Sequence, residues 1–182
     1  MRARLISYSQ PPAGDFIGLD TPEDLIAYAA RVSNPANQIN SETAPKLLQY
    51  LSKHKHWSPF EMASACIEVE TTRDIARQFL RHRSFSFQEF SQRYADVRDH
   101  SDSFVLREAR LQDQKNRQNS IAVDDPDLQS AWNIWQQEVI DKATEAYEWA
   151  IAEGIAKEQA RAVLPEGNTT STLYANGTLR SW

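Results

Sequence analysis

One pattern dominates the chain. From Pro126 to about Glu153, Leu128, Trp132, Trp135, Val139, Ala143, Ala146 and Ala150 recur every three or four residues, the spacing of an apolar helix stripe. This long helix must share the fold with strands. Over Met62 to Glu70, Ala63, Ala65, Ile67 and Val69 alternate with Ser64, Cys66, Glu68 and Glu70, the period of two that defines a strand. Helical and strand patterns follow one another without a regular β-α-β rhythm, so the expected class is α+β, with an antiparallel or mixed sheet flanked by helices. A length of 182 residues fits a single domain over 1–182.

The remaining elements follow from local signals. Arg4 to Tyr8 reads as a strand. Thr21 is placed to cap a helix starting at Pro22, with Glu23 and Asp24 at the positive end of its dipole, and Asn34-Pro35 is expected to end it. Ala44 to Lys53 forms a second helix with Leu47, Leu48 and Leu51 inward. Thr72 is expected to cap a helix over Arg73 to Arg83, which puts Gln78 and Arg81 on one face. A strand is expected at Arg93-Tyr94. The polar stretch 107–127 reads as a surface insertion, partly helical or mobile. Gly154 suits the end of the long helix or a break in it, Ala156 to Val163 is a further short helix, and Asn176-Gly177 predicts a hairpin turn or a broader loop.

The net charge of −5 argues against general nucleic-acid binding, which needs a basic face. A single cysteine, Cys66, permits no internal disulfide, and no run of apolar residues approaches a membrane span or a leader peptide. A cytoplasmic protein with no membrane association is expected. The five glycines are scattered, so no Gly-rich phosphate loop exists, and a dinucleotide must be held by other means. His54, His56, His82 and His100 lack the spacing of a metal site, and none is expected.

The unusual segment is Gln78 to Tyr94. Arg81, His82, Arg83 and Arg93 are interleaved with Phe79, Phe85, Phe87, Phe90 and Tyr94, and Glu89, Ser91 and Gln92 add polar groups. Guanidinium forks match phosphate oxygens, and the set suits an anionic ligand with a flat polar ring, such as a nucleotide. From the residues alone a second account stays open: a solvated basic helix end running into a core strand.

Arg81-His82-Arg83, seven residues and then Ser91 resembles the signature of the flavin-dependent thymidylate synthases. Ala30-Arg31-Val32-Ser33, His56-Trp57-Ser58-Pro59-Phe60-Glu61, Ala160-Arg161-Ala162-Val163-Leu164-Pro165 and Leu179-Arg180-Ser181-Trp182 are similar to further blocks of that family, in its order. The resemblance implies conversion of dUMP to dTMP, with methylenetetrahydrofolate as carbon donor and FAD, reduced by NADPH, as hydride source. It also implies a homotetramer with active sites at subunit interfaces. By similarity, Gln78, Arg81, Glu89, Ser91, Arg93 and Arg161 would bind dUMP. Ser33, Ser58, Glu61, Arg81, His82, Arg83, Glu89, Thr178 and Arg180 would bind FAD, and His56 would sit beside the flavin where folate approaches. Thr178 departs from the Asn usual in the family. Trp132, Trp135 and Trp149 are expected in the core or a subunit interface. Family members continue past the Arg-Ser-Trp block into a helix with a dUMP-activating Arg. This chain stops at Trp182, so a missing C-terminal tail is expected, and with it the catalytic residue. The alternative is an inactive homologue that binds flavin and nucleotide without that Arg.

Overall fold

A computed structural model describes residues 1–12, 14, 18–99 and 103–182. Its elements run β1 (Arg2–Tyr8), α1 (Pro22–Ala30), α2 (Ala44–Lys53), β2 (Ser64–Thr72), α3 (Arg73–Phe79), β3 (Ser86–Glu89), β4 (Arg110–Gln112), β5 (Ser120–Ala122), α4 (Pro126–Ala152), α5 (Lys157–Ala160) and β6 (Thr170–Thr178). The class is α+β, as the patterning predicts. One four-stranded sheet has the order β1-β2-β6-β3, and β4 pairs with β5 in a separate antiparallel ribbon. Among the described residues no helix is long and apolar enough to cross a membrane. The chain divides into two compact units.

The first, here the N-terminal unit, comprises Arg2–Val69, Leu80–Gln88 and Leu173–Trp182. Helix α1 begins where its local chemistry dictates. The Thr21 hydroxyl accepts the Asp24 N–H at 3.2 Å, and the Asp24 carboxylate accepts the Thr21 N–H at 3.1 Å, a reciprocal cap. The helix stops at Ala30, four residues before Asn34-Pro35. Buried Arg31 turns its guanidinium to the Asn40 carbonyl and, at 2.8 Å, to the Thr43 hydroxyl, while the Asn34 N–H closes a turn on the Arg31 carbonyl. Helix α2 has the expected bounds. Leu51 is buried, whereas Leu47 and Leu48 are half-buried.

No hairpin forms at Asn176-Gly177, which lies inside β6. The glycine is there for space. A Cβ at Gly177 would fall 2.5 Å from the Phe85 ring, and Phe85 is itself held edge-on by Trp182 at 4.5 Å between centroids. Gly177→Ala is therefore expected to cost about 1–3 kcal/mol by overpacking, seen as a lower denaturation midpoint. An unchanged midpoint would mean that the ring moves freely.

The second, the long-helix unit, comprises Met1, Glu70–Phe79 and Glu89–Thr172. Helix α4 is capped by Asp125, whose carboxylate accepts the Leu128 N–H at 2.9 Å. It closes through Gly154, at φ +80°, a left-handed conformation that suits glycine. Its buried face keeps Ala143 and Ala150 of the predicted stripe but not the large apolar residues before them. Gln136, Ile140, Ala143, Tyr147 and Ala150 are buried, while Leu128, Trp132, Trp135, Val139 and Trp149 are exposed. The stripe is rotated because Gln136 has work inside. Its carbonyl accepts the Arg107 N–H at 2.7 Å and the Asn168 amide at 2.9 Å, and its amide donates to the Arg107 carbonyl at 3.0 Å. Three hydrogen bonds compensate a buried amide. Tyr147 and Ala150 pack with Val97, Ala160 and Leu164, partly covered by Phe104 and Ile151.

Three more expectations change here. The 107–127 stretch carries the β4–β5 ribbon rather than helix, with Arg110 donating to the Ser120 hydroxyl at 2.7 Å. The strand expected at Arg93-Tyr94 lies earlier, as β3, and Arg93-Tyr94 belong to a turn in which the Ser91 carbonyl accepts the Tyr94 and Ala95 N–H groups. Ala156 to Val163 splits into α5 and a 3-10 turn over Arg161–Val163.

Candidate functional site

Helix α3 ends at Phe79, so Arg81 does not share a helical face with Gln78. Thr72, expected as its cap, is the last residue of β2. Its hydroxyl donates to the Asp74 carboxylate and accepts from Arg107 at 2.8 Å. Leu80 to Ser84 instead form a turn that leaves Arg81, His82 and Arg83 exposed. The His82 ring stands edge-on to Phe85 at 6.0 Å. Among the described residues no carboxylate pairs with Arg81, Arg83 or Arg93. Exposed guanidiniums without a protein anion are available to a ligand's anion.

Within the N-terminal unit the flavin-side positions fall partly together. Lys55, at φ +58°, ends α2 in the left-handed region, and the His56 N–H reaches back to the Leu51 carbonyl at 2.8 Å. That reversal puts His56, Trp57 and Ser58 on the wall of a cavity of about 530 Å³, with Lys55 and Arg180 also lining it. Arg180 is ion-paired with Glu61. His56, Ser58, Glu61 and Arg180 thus form one neighbourhood. Thr178 is outside it, its hydroxyl 3.2 Å from that of Ser181, and exposed Ser33 does not line the cavity. The His54 ring packs on Tyr50 at 4.2 Å, and His100 lies outside the described residues.

Within the long-helix unit Gln78, Ser91 and Arg93 are exposed and Arg161 is half-buried, its Nε donating to the Glu158 carbonyl at 3.2 Å. Glu89 is held from behind. Its Oε1 accepts the Ser171 hydroxyl at 2.9 Å and Arg73 Nη1 at 3.3 Å. Arg73 and its neighbours are what the sequence reading missed. The Arg73 side chain is 6% exposed and its Nε lies 3.7 Å from Glu166, which Arg77 grips with two nitrogens at 2.9 and 2.8 Å. The available signal was Arg73 and Arg77 four apart on a short helix. A buried arginine demands carboxylates, but these come from distant positions. A larger cavity, about 730 Å³, is lined by Trp132, Trp135, Arg107 and Gln136 and by none of the predicted site residues.

The hydrogen bond from Arg77 holds the Glu166 carboxyl below its ordinary value, and that from Arg98 does the same for Asp96. Both contribute stability above the usual carboxylate range that is lost as pH falls through their lowered values. The thermal midpoint is expected to fall on acidification below about pH 5, and Glu166→Gln should flatten that fall. An equal slope in the variant would remove Glu166 from the account.

The pattern describing the family "Thymidylate synthase complementing protein" matches residues 16–182. The chain is 50% identical over 182 residues to a probable flavin-dependent thymidylate synthase of Paramecium bursaria Chlorella virus 1, covering all of this chain and 81% of that one. It is 48% identical over 186 residues to the flavin-dependent thymidylate synthase of a Synechocystis strain, with the same coverage. Among solved structures it resembles a UMP/dUMP methylase from Streptomyces cacaoi bound with 5-Br dUMP, at a TM-score of 0.80 and 28% identity, over 99% of this chain and 73% of that one.

Proposed function

Since the chain belongs to the family of flavin-dependent thymidylate synthases, we propose that it catalyses the reductive methylation of dUMP to dTMP as a cytoplasmic enzyme, with 1–182 belonging to one synthase domain. FAD, when bound and reduced by NADPH, would supply the hydride, and methylenetetrahydrofolate would supply the carbon. The observation that carries this reading is the run Arg81-His82-Arg83 to Ser91, with guanidiniums of Arg81, Arg83 and Arg93 exposed and, among the described residues, unpaired with carboxylates.

The residues fit both ligands chemically. Arg81, Arg93 and Arg161 neutralise the dUMP phosphate, while Gln78, Glu89 and Ser91 offer hydrogen bonds to ribose and base. For FAD, His82, Arg83 and Arg180 supply positive or donating groups to the pyrophosphate, and Ser33, Ser58, Glu61 and Thr178 supply polar contacts. The cavity of about 530 Å³ walled by His56, Trp57 and Arg180 offers aromatic and cationic groups to a flavin ring. His56 orients the approach of folate. The residues of this chain bind, orient and polarise.

Purified protein is expected to carry, or take up, a flavin with its visible absorbance, and dUMP should perturb that spectrum. No flavin uptake under reconstitution would overturn the reading.

The proposal includes assembly as a homotetramer. The exposed row Leu128, Trp132, Trp135 and Val139 on α4 supplies an apolar face of the kind that subunits cover. Light scattering should give four copies, and Trp135→Glu should shift the protein to smaller species. A monomeric parent protein would contradict the assembly.

A further inference from the structure

We propose that Ser171 and Arg73 are positioning residues that fix the Glu89 carboxylate for nucleotide recognition. This rests on the reading that Glu89 faces dUMP. Ser171 is fully buried, and its hydroxyl donates to Glu89 Oε1 at 2.9 Å. Arg73, 5% exposed as a residue, donates from Nη1 to the same oxygen at 3.3 Å. Two donors on one oxygen remove the carboxylate's freedom to rotate. Among the described residues nothing meets Oε2. The Glu89 side chain is 19% exposed, so the group is anchored at one oxygen and open at the other.

The chemistry of that open oxygen names what it binds. An ionised carboxylate accepts hydrogen bonds and donates none, so its ligand must present an N–H or O–H. In dUMP those are the ribose hydroxyl and the imide N–H of the base. The phosphate carries the same sign of charge and is repelled. Glu89 therefore takes the donor-bearing end of the nucleotide and sends the phosphate toward arginines. Arg73 is shared between two carboxylates, since its Nε lies 3.7 Å from Glu166. Ser171 sets the plane.

The test is a double-mutant cycle read by dUMP binding to flavin-loaded protein. Ser171→Ala is the probe, because it removes the hydrogen bond without leaving a buried charge. It should weaken dUMP binding about tenfold, the loss of one hydrogen bond to a charged group. It should raise KM for dUMP with a smaller change in kcat. Glu89→Ala should weaken binding more, and S171A added to E89A should change affinity by less than about twofold. If E89A does not fold, Glu89→Gln takes its place, and S171A added to E89Q should again cost less than S171A alone. An S171A protein with unchanged affinity, or an effect equally large without the carboxylate, would overturn the positioning role. Failure of the unmodified protein to bind dUMP would instead overturn the functional reading on which it rests.

Discussion

Arg81→Ala is expected to weaken dUMP or flavin binding by about 10–100-fold while leaving the fold intact, because a charge-assisted bond to a phosphate is worth roughly 1.5–3 kcal/mol. The side chain is exposed and among the described residues pairs with no carboxylate. Removing it takes nothing from the folded state, so the unfolding free energy should change by less than about 0.5 kcal/mol. Arg81→Lys should recover only part of the affinity, since an ammonium cannot make the bidentate contact. Ligand titration together with thermal melting separates the outcomes. A variant that merely unfolds would return the segment to a structural role as a helix terminus.

Arg73→Ala should behave in the opposite way. Its side chain is 6% exposed and lies between Glu89 and Glu166. Taking it away leaves Glu89, itself only 19% exposed, without its cationic partner, a loss of about 3–5 kcal/mol. Arg77 also meets Glu166, at 2.8 Å, but both side chains are about half exposed, at 54% and 48%. Water screens that pair, so Arg77→Ala should cost no more than about 1 kcal/mol. Chemical denaturation of the two variants checks the contrast. Equal losses would mean that burial does not distinguish them.

What was legible in the sequence was mostly local. The start of α1 at Pro22 needs only Thr21 and Asp24, three residues apart, and both are visible in a short window. The bounds of α2 and the start of α4 at Pro126 are of the same kind. What the sequence hid depends on distant partners. Gln136 goes inward, and Trp132 and Trp135 outward, because Arg107 and Asn168 supply the Gln136 amide with hydrogen bonds. An apolar count assigns that face the other way. Asn176-Gly177 has the composition of a turn, but the ring of Phe85 gives the glycine a different use inside a strand. The same division runs through the site. Arg81 to Ser91 was readable as a motif, whereas the support of Glu89 by Arg73 and Ser171 joins positions 16 and 82 residues away.

The central claim is that these arginines, serines and carboxylates serve a thymidylate synthase and not a passive flavin binder. The direct measurement is dTMP formed by the protein from dUMP, methylenetetrahydrofolate and NADPH in the presence of FAD. Repeated turnover that stops when dUMP, methylenetetrahydrofolate or NADPH is withheld is the predicted result. Bound flavin and bound dUMP with no dTMP formed would contradict it.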